Sequence, residues 1–423
     1  MTNLFSDFSR LYRSTLFWKG GQLLFGIVVS IVTARMLGAE GRGLYSVLLA
    51  YLSVFAVFVG VGIPEGTVTE FGSLHDKRGS DDTLQILRNS LTWGIFSGGI
   101  LAILIVPWLL LYALRSHDMK YLIVENRLLI FLLIVGGWFK ALSIHVRQYF
   151  VGLRDLNVAN RLLFWEHFFV ALGILVPAAL NTLDIALLVG GLSFGSILGG
   201  ILHLLHVQSF LKSRVDFIDT IKWLKTNVRL FWTFYYIAIL GVVGSRLALL
   251  ISDQMLTIRD VGLLSVAMSF SNIIVIIQFA GSQTLFSFSA SISASGEMGE
   301  IWNRIKLMSM ISIFAWVLGA TLIPFVVPRV FGQDFREAIA IAQILLASSV
   351  FVGINSFIQS ALLGRKRMSS SLINTKLFVG CQVILGSCLC WKFGLFGLCL
   401  GQLTAAIITS IHGVIVFYKL EKL

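Results

Sequence analysis

The sequence predicts an all-α integral membrane protein with about twelve transmembrane helices in two six-helix lobes. Composition is the first observation behind this fold class: 57% of the residues are hydrophobic, 13% are charged, and the mean hydropathy is +0.88. The second observation is length, because apolar segments of about twenty residues, enough to cross a hydrocarbon core roughly 30 Å thick, recur along the whole chain. The third is a short internal repeat that relates the two halves.

Each apolar segment is predicted to be a helix, because only a helix satisfies its backbone hydrogen bonds within one segment. In chain order, the predicted spans are Phe17–Thr33, Leu44–Ile63, Leu91–Leu114, Leu128–Val146, Leu162–Leu180, Ile185–Phe210, Leu230–Ser252, Leu263–Ser287, Ile305–Val327, Ile339–Leu363, Leu377–Trp391 and Phe393–Tyr418. Between the sixth and seventh spans, Lys212–Arg229 alternates apolar and charged residues and is predicted to be a surface-lying amphipathic helix.

The internal repeat relates two segments of the chain that are separated by a fixed number of residues. Met36-Leu37, Gly43-Leu44 and Ser46-Val47 recur 219 positions later as Met255-Leu256, Gly262-Leu263 and Ser265-Val266. Parallel repeats of this kind are typical of transporters. We therefore predict an N-terminal lobe over residues 1–211 and a C-terminal lobe over residues 212–423. Gly43 and Gly262 are expected to permit tight turns on the outer side.

The basic residues predict orientation. Lysine and arginine are about twice as frequent on the side of the predicted bundle that carries the N-terminus, so both termini are expected to face the cytoplasm. The net charge of +12 is then mostly a topology signal and a contact with anionic lipid headgroups. No nucleic acid partner is expected, since the charges are scattered over many loops.

Motifs for chemistry are missing from the sequence. There is no Walker loop, the connections between spans are short, and no cofactor is expected. The four cysteines lie within the last two spans without a histidine or carboxylate at ligand spacing, so no metal site is predicted. The chain is not expected to be an enzyme.

Ionisable residues within apolar spans are costly and are therefore the candidate functional residues. Arg246 is the strongest, because it lies near the middle of its span; the alternative is an internal salt bridge, for example with Glu166. Arg35 comes just before the first copy of the repeat and Arg42 lies within it, with interfacial anchoring as the alternative for both. Lys140 is also a candidate, although its side chain is within reach of the inner membrane surface.

A polar stripe on the eighth span is a further candidate. Ser265, Ser269 and Asn272 share one helix face, and Ser271, Gln278 and Ser282 line a neighbouring face. Such residues often bond one helix to another in bilayers. The alternative is that Ser269 and Asn272 line an aqueous cavity and contact substrate.

Three segments resemble a known family. A signature at the end of the first helix in bacterial polysaccharide flippases is similar to Arg35-Met36-Leu37-Gly38-Ala39-Glu40-Gly41-Arg42-Gly43-Leu44-Tyr45-Ser46. Further family features are similar to Val330-Phe331-Gly332-Gln333-Asp334-Phe335 and to Ala361-Leu362-Leu363-Gly364-Arg365. These flippases belong to the multidrug/oligosaccharidyl-lipid/polysaccharide exporter superfamily. The resemblance covers nearly the whole chain.

The resemblance implies a substrate and a location. The substrate would be a polyprenyl-diphosphate-linked oligosaccharide, such as an O-antigen (lipopolysaccharide) or capsule repeat unit, moved from the cytoplasmic to the outer leaflet of the bacterial inner membrane by alternating access. Membrane lipids, a glycan polymerase and chain-length proteins are the further expected partners. Since no nucleotide motif is present, an ion gradient is the expected energy source, with Asp253, Glu166 and Glu65 as candidate carriers.

Two other functions remain open from the sequence. A multidrug/cation antiporter of the same superfamily would hold cationic drugs with acidic groups, whereas the deepest buried charge here is the basic Arg246. A membrane glycan polymerase or ligase normally has a large outer loop, and the sequence has no long outer connection.

Overall fold

The computed structural model describes residues 2–73, 80–115, 127–153, 155–208, 217–291, 298–365 and 367–421. Within these ranges the regular elements are helices, and no strand is present. The helices are α1 Thr2–Gly60, α2 Ile63–Ser73, α3 Asp81–Arg115, α4 Arg127–Gly152, α5 Leu156–Ala179, α6 Ile185–Val207, α7 Phe217–Met255, α8 Ile258–Ser291, α9 Met298–Val330, α10 Ala338–Gly364 and α11 Met368–Glu421. A short 3-10 turn, Gln333–Phe335, separates α9 from α10.

The described helices account for the predicted spans. Eight of them are long and apolar enough to cross a membrane, namely α1 and α5 to α11. Two of these eight contain two spans each, because α1 is broken at Gly38 (φ 66°, ψ −169°) and α11 at Gly394 (φ 59°, ψ −143°). Glycine adopts this left-handed conformation without a Cβ clash, which lets the chain reverse there. The two remaining predicted spans, Leu91–Leu114 and Leu128–Val146, lie within the helices α3 and α4.

Helix starts follow the local sequence where a polar residue precedes an apolar run. The carboxylate of Asp184 accepts a hydrogen bond from the backbone N–H of Leu187 at 2.7 Å, and that of Asp155 accepts one from Val158 at 3.3 Å. These N-caps satisfy backbone donors at the first turns of α6 and α5. Both helices therefore begin at a defined residue.

The prediction of a separate surface-lying helix at Lys212–Arg229 is wrong over its described part. Residues 217–229 form the first three turns of α7, which continues without interruption to Met255. No glycine or proline lies between residues 217 and 240, so nothing in the sequence ends the helix before the apolar span. Residues 212–216 lie outside the described ranges.

Packing divides the described helices into two compact units. The first comprises Met1–Ala50 and Val243–Leu423, and the second comprises Tyr51–Val242. The core of the first unit includes Leu285, Ile305 and Phe357, and the core of the second includes Phe71 and Tyr149. The units are defined by contacts within each of them, and they do not test the lobe boundary inferred from the repeat. That boundary, at residues 211/212, stays a prediction.

The two copies of the repeat face each other within the first unit. A Cβ on Gly43 would overlap the carbonyl oxygen of Ile258, and a Cβ on Gly262 would overlap that of Ala39. Ile258 is 219 positions after Ala39, the same offset that separates the two glycines, so the contact is reciprocal. The prediction that these glycines make the turns is wrong. Gly38 provides the first turn, and Gly43 and Gly262 allow two helix backbones to approach closely.

Candidate functional site

Arg42 is buried in the first unit, one helical turn after the break at Gly38. Its side chain is 8% exposed. Nη1 donates a hydrogen bond to Oγ1 of Thr33 at 3.2 Å, across the break, and Thr33 in turn donates to the carbonyl of Val29 at 2.7 Å. Nε of Arg42 has no hydrogen-bond partner among the described residues. The guanidinium is thus held in place while one donor remains unused.

Tyr45 is an electrostatic neighbour of both Arg42 and Arg246. It is 5% exposed, and the guanidinium of Arg42 lies over its ring at 5.4 Å from the centroid. Both arginines interact electrostatically with Tyr45, and Arg246 is itself half-buried. Arg246 is nine residues before the end of α7, which corresponds to about 13 Å along the helix axis. Arg42 and Arg246 thus both act on one buried tyrosine, and the depth of Arg246 in the membrane stays a prediction.

The two arginines have no carboxylate partner in the described part of the chain. The ion pairs there include Lys222–Asp219, Arg259–Glu337 and Arg304–Glu300, and neither Arg42 nor Arg246 takes part in one. A desolvated cation without a counter-charge is destabilising by several kcal/mol. Two such cations around one tyrosine form a site whose electrostatics favour an anionic ligand.

Arg35 is bound to the end of another helix. Its Nε donates to the carbonyl of Val330 at 2.8 Å, and Nη2 donates to that of Arg329 at 2.7 Å. These are the last carbonyls of α9, where the helix dipole is negative, so the guanidinium caps the helix. The side chain is exposed. Both readings of Arg35, interfacial anchoring and a role as a substrate ligand, stay predictions.

The polar stripe on α8 divides into two parts. Gln278 donates to the carbonyl of Ser349 at 2.7 Å, and the hydroxyls of Ser282 and Ser356 are 2.8 Å apart, so this face bonds α8 to α10. The hydroxyl of Ser269 lies 3.0 Å from that of Ser30 and bonds α8 to α1. Asn272 is exposed. Asn272 is thus the member of the stripe with a side chain available to a ligand.

The second unit contains a cluster of opposite charges around Glu166. This carboxylate is 4% exposed and interacts electrostatically with Lys140, His203, His167 and Arg147. Arg147 also interacts with Glu65. Two carboxylates thus face two permanent cations, and the charge of Glu166 is compensated within its own unit. Lys140 belongs to this balanced network.

Asp253 is partly exposed near the end of α7. Its carboxylate accepts a hydrogen bond from the side-chain amide of Gln254 at 3.1 Å. It lies two turns beyond Arg246 on the same helix face. The sequence missed Tyr45 and Arg147 as site residues, although Arg147 follows Lys140 by seven positions, a spacing that puts both on one face of α4.

The chain matches a known family over more than half of its length. The family described as "Polysaccharide biosynthesis protein" matches residues 14–248 of the 423 residues. No curated protein sequence matches the chain.

Solved structures share the fold at low sequence identity. The lipid II flippase MurJ in an inward closed conformation has a TM-score of 0.75 at 15% identity, with 96% of this chain and 87% of that chain covered. An inward-facing multidrug resistance MATE family transporter of the MOP superfamily has a TM-score of 0.72 at 16% identity, with 95% and 96% covered. A MOP superfamily transporter from Pyrococcus furiosus, described as having a binding pocket of reverse polarity, has a TM-score of 0.71 at 14% identity, with 98% and 96% covered.

These likenesses confirm the predicted fold class, an all-α membrane protein of about twelve transmembrane helices in two lobes. These two structural neighbours are a transporter and a flippase. The chain therefore belongs to the polysaccharide biosynthesis protein family and is a multi-pass membrane protein with the fold of these transporters.

Proposed function

We propose that the protein is a flippase for a polyprenyl-diphosphate-linked oligosaccharide, an O-antigen or capsule repeat unit. It moves this lipid from the cytoplasmic to the outer leaflet of the bacterial inner membrane, with both of its own termini in the cytoplasm. The observation that carries the proposal is the pair Arg42 and Arg246 around Tyr45, which has no carboxylate partner among the described residues. The family match supports a polysaccharide pathway.

The chemistry of the pair suits a diphosphate. A guanidinium presents a planar fork of N–H donors that grips two oxygens of a phosphate at once. Arg42 has its Nε unused, and the hydroxyl of Tyr45, which interacts electrostatically with both cations, is a further donor. A bare diphosphate in hydrocarbon would cost on the order of tens of kcal/mol, and two desolvated cations offset much of that cost. The hydroxyl-rich glycan needs polar partners as well, and Asn272 and Ser269 are candidates.

The polyprenyl tail needs no protein pathway of its own. It is apolar and can stay in the bilayer while the headgroup crosses through the protein. Alternating access then consists of exposing the headgroup site first to one side of the membrane and then to the other. Membrane lipids are thus direct partners, and a glycan polymerase with its chain-length proteins would take up the product at the outer leaflet.

An ion gradient is the proposed energy source. The membrane potential supplies roughly 2.3 kcal/mol per unit charge per 100 mV. Glu166 and Glu65 are the proposed carriers, because they belong to a balanced network in which binding one cation leaves a net charge. Asp253 is a third candidate on the Arg246 helix.

A multidrug/cation antiporter is the second candidate function, and the structural likeness to a multidrug resistance MATE transporter favours it. Such a transporter must hold cationic drugs, and Arg42 with Arg246 would repel them. Resistance to cationic drugs in cells that express the protein would support this alternative. A membrane glycan polymerase or ligase is the third and least favoured candidate function.

The test uses cells in which this protein is the only flippase for their glycan. We expect Arg42→Gln and Arg246→Gln to abolish surface glycan and to trap lipid-linked oligosaccharide in the inner leaflet, with normal amounts of protein in the membrane. Arg246→Lys keeps the charge but loses the fork, so it should give an intermediate level. Arg259→Gln is the matched control, because Arg259 is exposed and pairs with Glu337. Normal surface glycan in the Arg246→Gln cell would contradict the proposal.

A further inference from the structure

The first turns of α7 are packed against the second unit through one face of the helix. The hydroxyl of Thr220 donates a hydrogen bond to the side-chain oxygen of Asn89 in α3 at 3.2 Å, and both residues are buried. Phe231 is also buried, and a Cβ on Gly66 of α2 would overlap its ring. The ring of Trp223 lies against Phe231, with 4.9 Å between the ring centroids. This face of α7 is therefore covered by protein.

The same face of α7 contacts the break between α1 and α2. Val61 (φ 49°) and Gly62 (φ 71°) form this break, and both have left-handed backbone conformations. A Cβ on Gly62 would overlap the backbone of α7 at Phe231 and Tyr235. Backbone contact of this kind fixes which side of α7 faces the unit and which side faces outward.

The opposite face of these turns carries a stripe of exposed side chains. Its members recur at spacings of three and four residues, so they lie along one side of the helix. The members of this α7 stripe are Lys222, Lys225, Arg229, Trp232 and Tyr236. The stripe is about 21 Å long at the rise of an α-helix. Its three cations occupy the half nearer the start of α7, and its two aromatic rings occupy the other half.

The aromatic half of the stripe lies where the predicted span begins, at Leu230. Trp232 is 51% exposed and Tyr236 is 44% exposed, and their ring centroids are 5.3 Å apart. Tryptophan and tyrosine are enriched at the interface between lipid headgroups and hydrocarbon. Val228, beside the cations, is also exposed and apolar. The stripe thus changes from charged to aromatic at the level where a phospholipid changes from headgroup to acyl chain.

The charge on this face of α7 is positive. Lys222 forms an ion pair with Asp219 at 3.3 Å, and both side chains of that pair are exposed. Three cations and this one carboxylate leave a net charge of +2, and the sequence has no further carboxylate before Asp253. Glu70 of α2 also interacts with this part of α7, through Trp223 on the covered face. The exposed face therefore complements an anion.

We propose that the α7 stripe binds an anionic phospholipid of the surrounding bilayer. The headgroup phosphate contacts Lys225 and Arg229, and an acyl chain lies along Trp232 and Tyr236. The guanidinium of Arg229 can grip two phosphate oxygens at once, and the lysines add point charges beside it. Basic residues scattered over loops attract anionic lipid without selecting a position, whereas this stripe is held in one orientation by the buried contacts on its other side. The inference is independent of the transported substrate.

The test uses the purified full-length protein in mild detergent without glycan lipid. Native mass spectrometry counts the bound lipids during titration with phosphatidylglycerol and, separately, with phosphatidylcholine of the same acyl chains. A basic residue near anionic lipid contributes roughly fivefold in affinity. With two to three cations engaged, we expect the first phosphatidylglycerol to bind roughly 25- to 125-fold more tightly than phosphatidylcholine. The triple variant Lys222→Gln, Lys225→Gln, Arg229→Gln should lose most of this preference.

A matched control removes the same charge elsewhere. Lys306, Arg367 and Lys419 are exposed and lie on or beside other helices. Replacing all three by glutamine should leave the preference for phosphatidylglycerol as in the wild type. An equal loss in this control would show that net charge, and not the stripe, attracts the lipid, and would overturn the proposal.

Two measurements on the wild type need no variant. Equal affinity for phosphatidylglycerol and phosphatidylcholine would contradict the proposal whatever the variants do. Saturating polyprenyl diphosphate should leave the bound phosphatidylglycerol in place, because the diphosphate is assigned to Arg42 and Arg246. If it displaces the phospholipid instead, the stripe is a site for the transported lipid and the inference fails, while the proposed flippase function stands.

Discussion

The reciprocal glycine contact gives a prediction about stability that follows directly from geometry. In Gly43→Ala, the new Cβ would lie 2.9 Å from the backbone nitrogen of Gly262 and would overlap the carbonyl of Ile258. In Gly262→Ala, it would lie 3.0 Å from Cα of Ala39. Ordinary contacts of a Cβ begin near 3.4 Å. The two helices must therefore separate by at least about half an ångström, since backbone atoms cannot rotate out of the way.

The magnitude follows from comparison with an unhindered glycine. Overpacking costs about 1–3 kcal/mol, and the upper end applies where the obstacle is backbone. Gly26 lies on the same helix, α1, and a Cβ there would meet nothing within 4 Å. Gly26→Ala should stabilise the protein by up to about 1 kcal/mol through helix propensity. The difference between Gly43→Ala and Gly26→Ala is therefore expected to be about 2–4 kcal/mol.

The assay is reversible unfolding of the purified protein in mild detergent, followed by circular dichroism. The double variant Gly43→Ala with Gly262→Ala should lose less than the sum of the single losses, because the first substitution already separates the helices. The reasoning would be refuted if Gly43→Ala were as stable as Gly26→Ala, or if the two substitutions were strictly additive.

Three further predictions concern single side chains. Glu70 is half-buried on α2, outside the candidate spans, and burial raises its pKa to about 7 against a hydrogen bond from Trp223 that lowers it. Because the carboxyl ionises at lower pH in the unfolded chain than in the folded one, the folded state loses stability as the pH rises from about 4.5 to 7. Glu70→Gln should therefore be more stable than the wild type above pH 7 and equal to it below pH 4.5. Unfolding of both proteins measured at both pH values checks this. Arg35→Ala should lower the free energy of unfolding by about 1 kcal/mol in the same assay, because the last carbonyls of α9 lose their donors; an unchanged value would exclude the helix cap. Val61→Gly should raise the free energy of unfolding by up to about 1 kcal/mol, because glycine adopts the left-handed conformation without strain. A lower free energy of unfolding would show that the valine side chain contributes more than the strain costs.

The sequence predicted the helices because a span needs only length and apolarity. The same reasoning failed at Gly43 and Gly262, where it placed turns. A sequence shows where a helix ends, but the close approach of two helix backbones depends on tertiary packing, and both uses of glycine look alike in the chain. The break at Val61 was invisible for a related reason, since valine favours extended backbone and the close approach of the next residue, Gly62, to α7 depends on tertiary packing.

The candidate site was predictable where depth in the span was the signal. Arg246 was identified because it lies inside its predicted span, six residues before the end at Ser252. Arg42 was equally consistent with interfacial anchoring, and its burial follows from the turn at Gly38, which brings it beside Thr33. Arg147 directly follows the predicted span Leu128–Val146, and a basic residue at a span end usually reports topology. Its electrostatic interaction with both Glu65 and Glu166 depends on the fold.

Binding of polyprenyl diphosphate without its glycan tests the central claim most directly, because it isolates the anion from the sugar and from transport. Each arginine contact is worth about 1.5–3 kcal/mol, so Arg42→Gln or Arg246→Gln should each raise the dissociation constant roughly 10- to 150-fold, measured by calorimetry on purified protein. Arg259→Gln should bind as the wild type does, and polyprenyl monophosphate should bind more weakly to the wild type. Equal affinity of wild type and Arg246→Gln for the diphosphate would contradict the account.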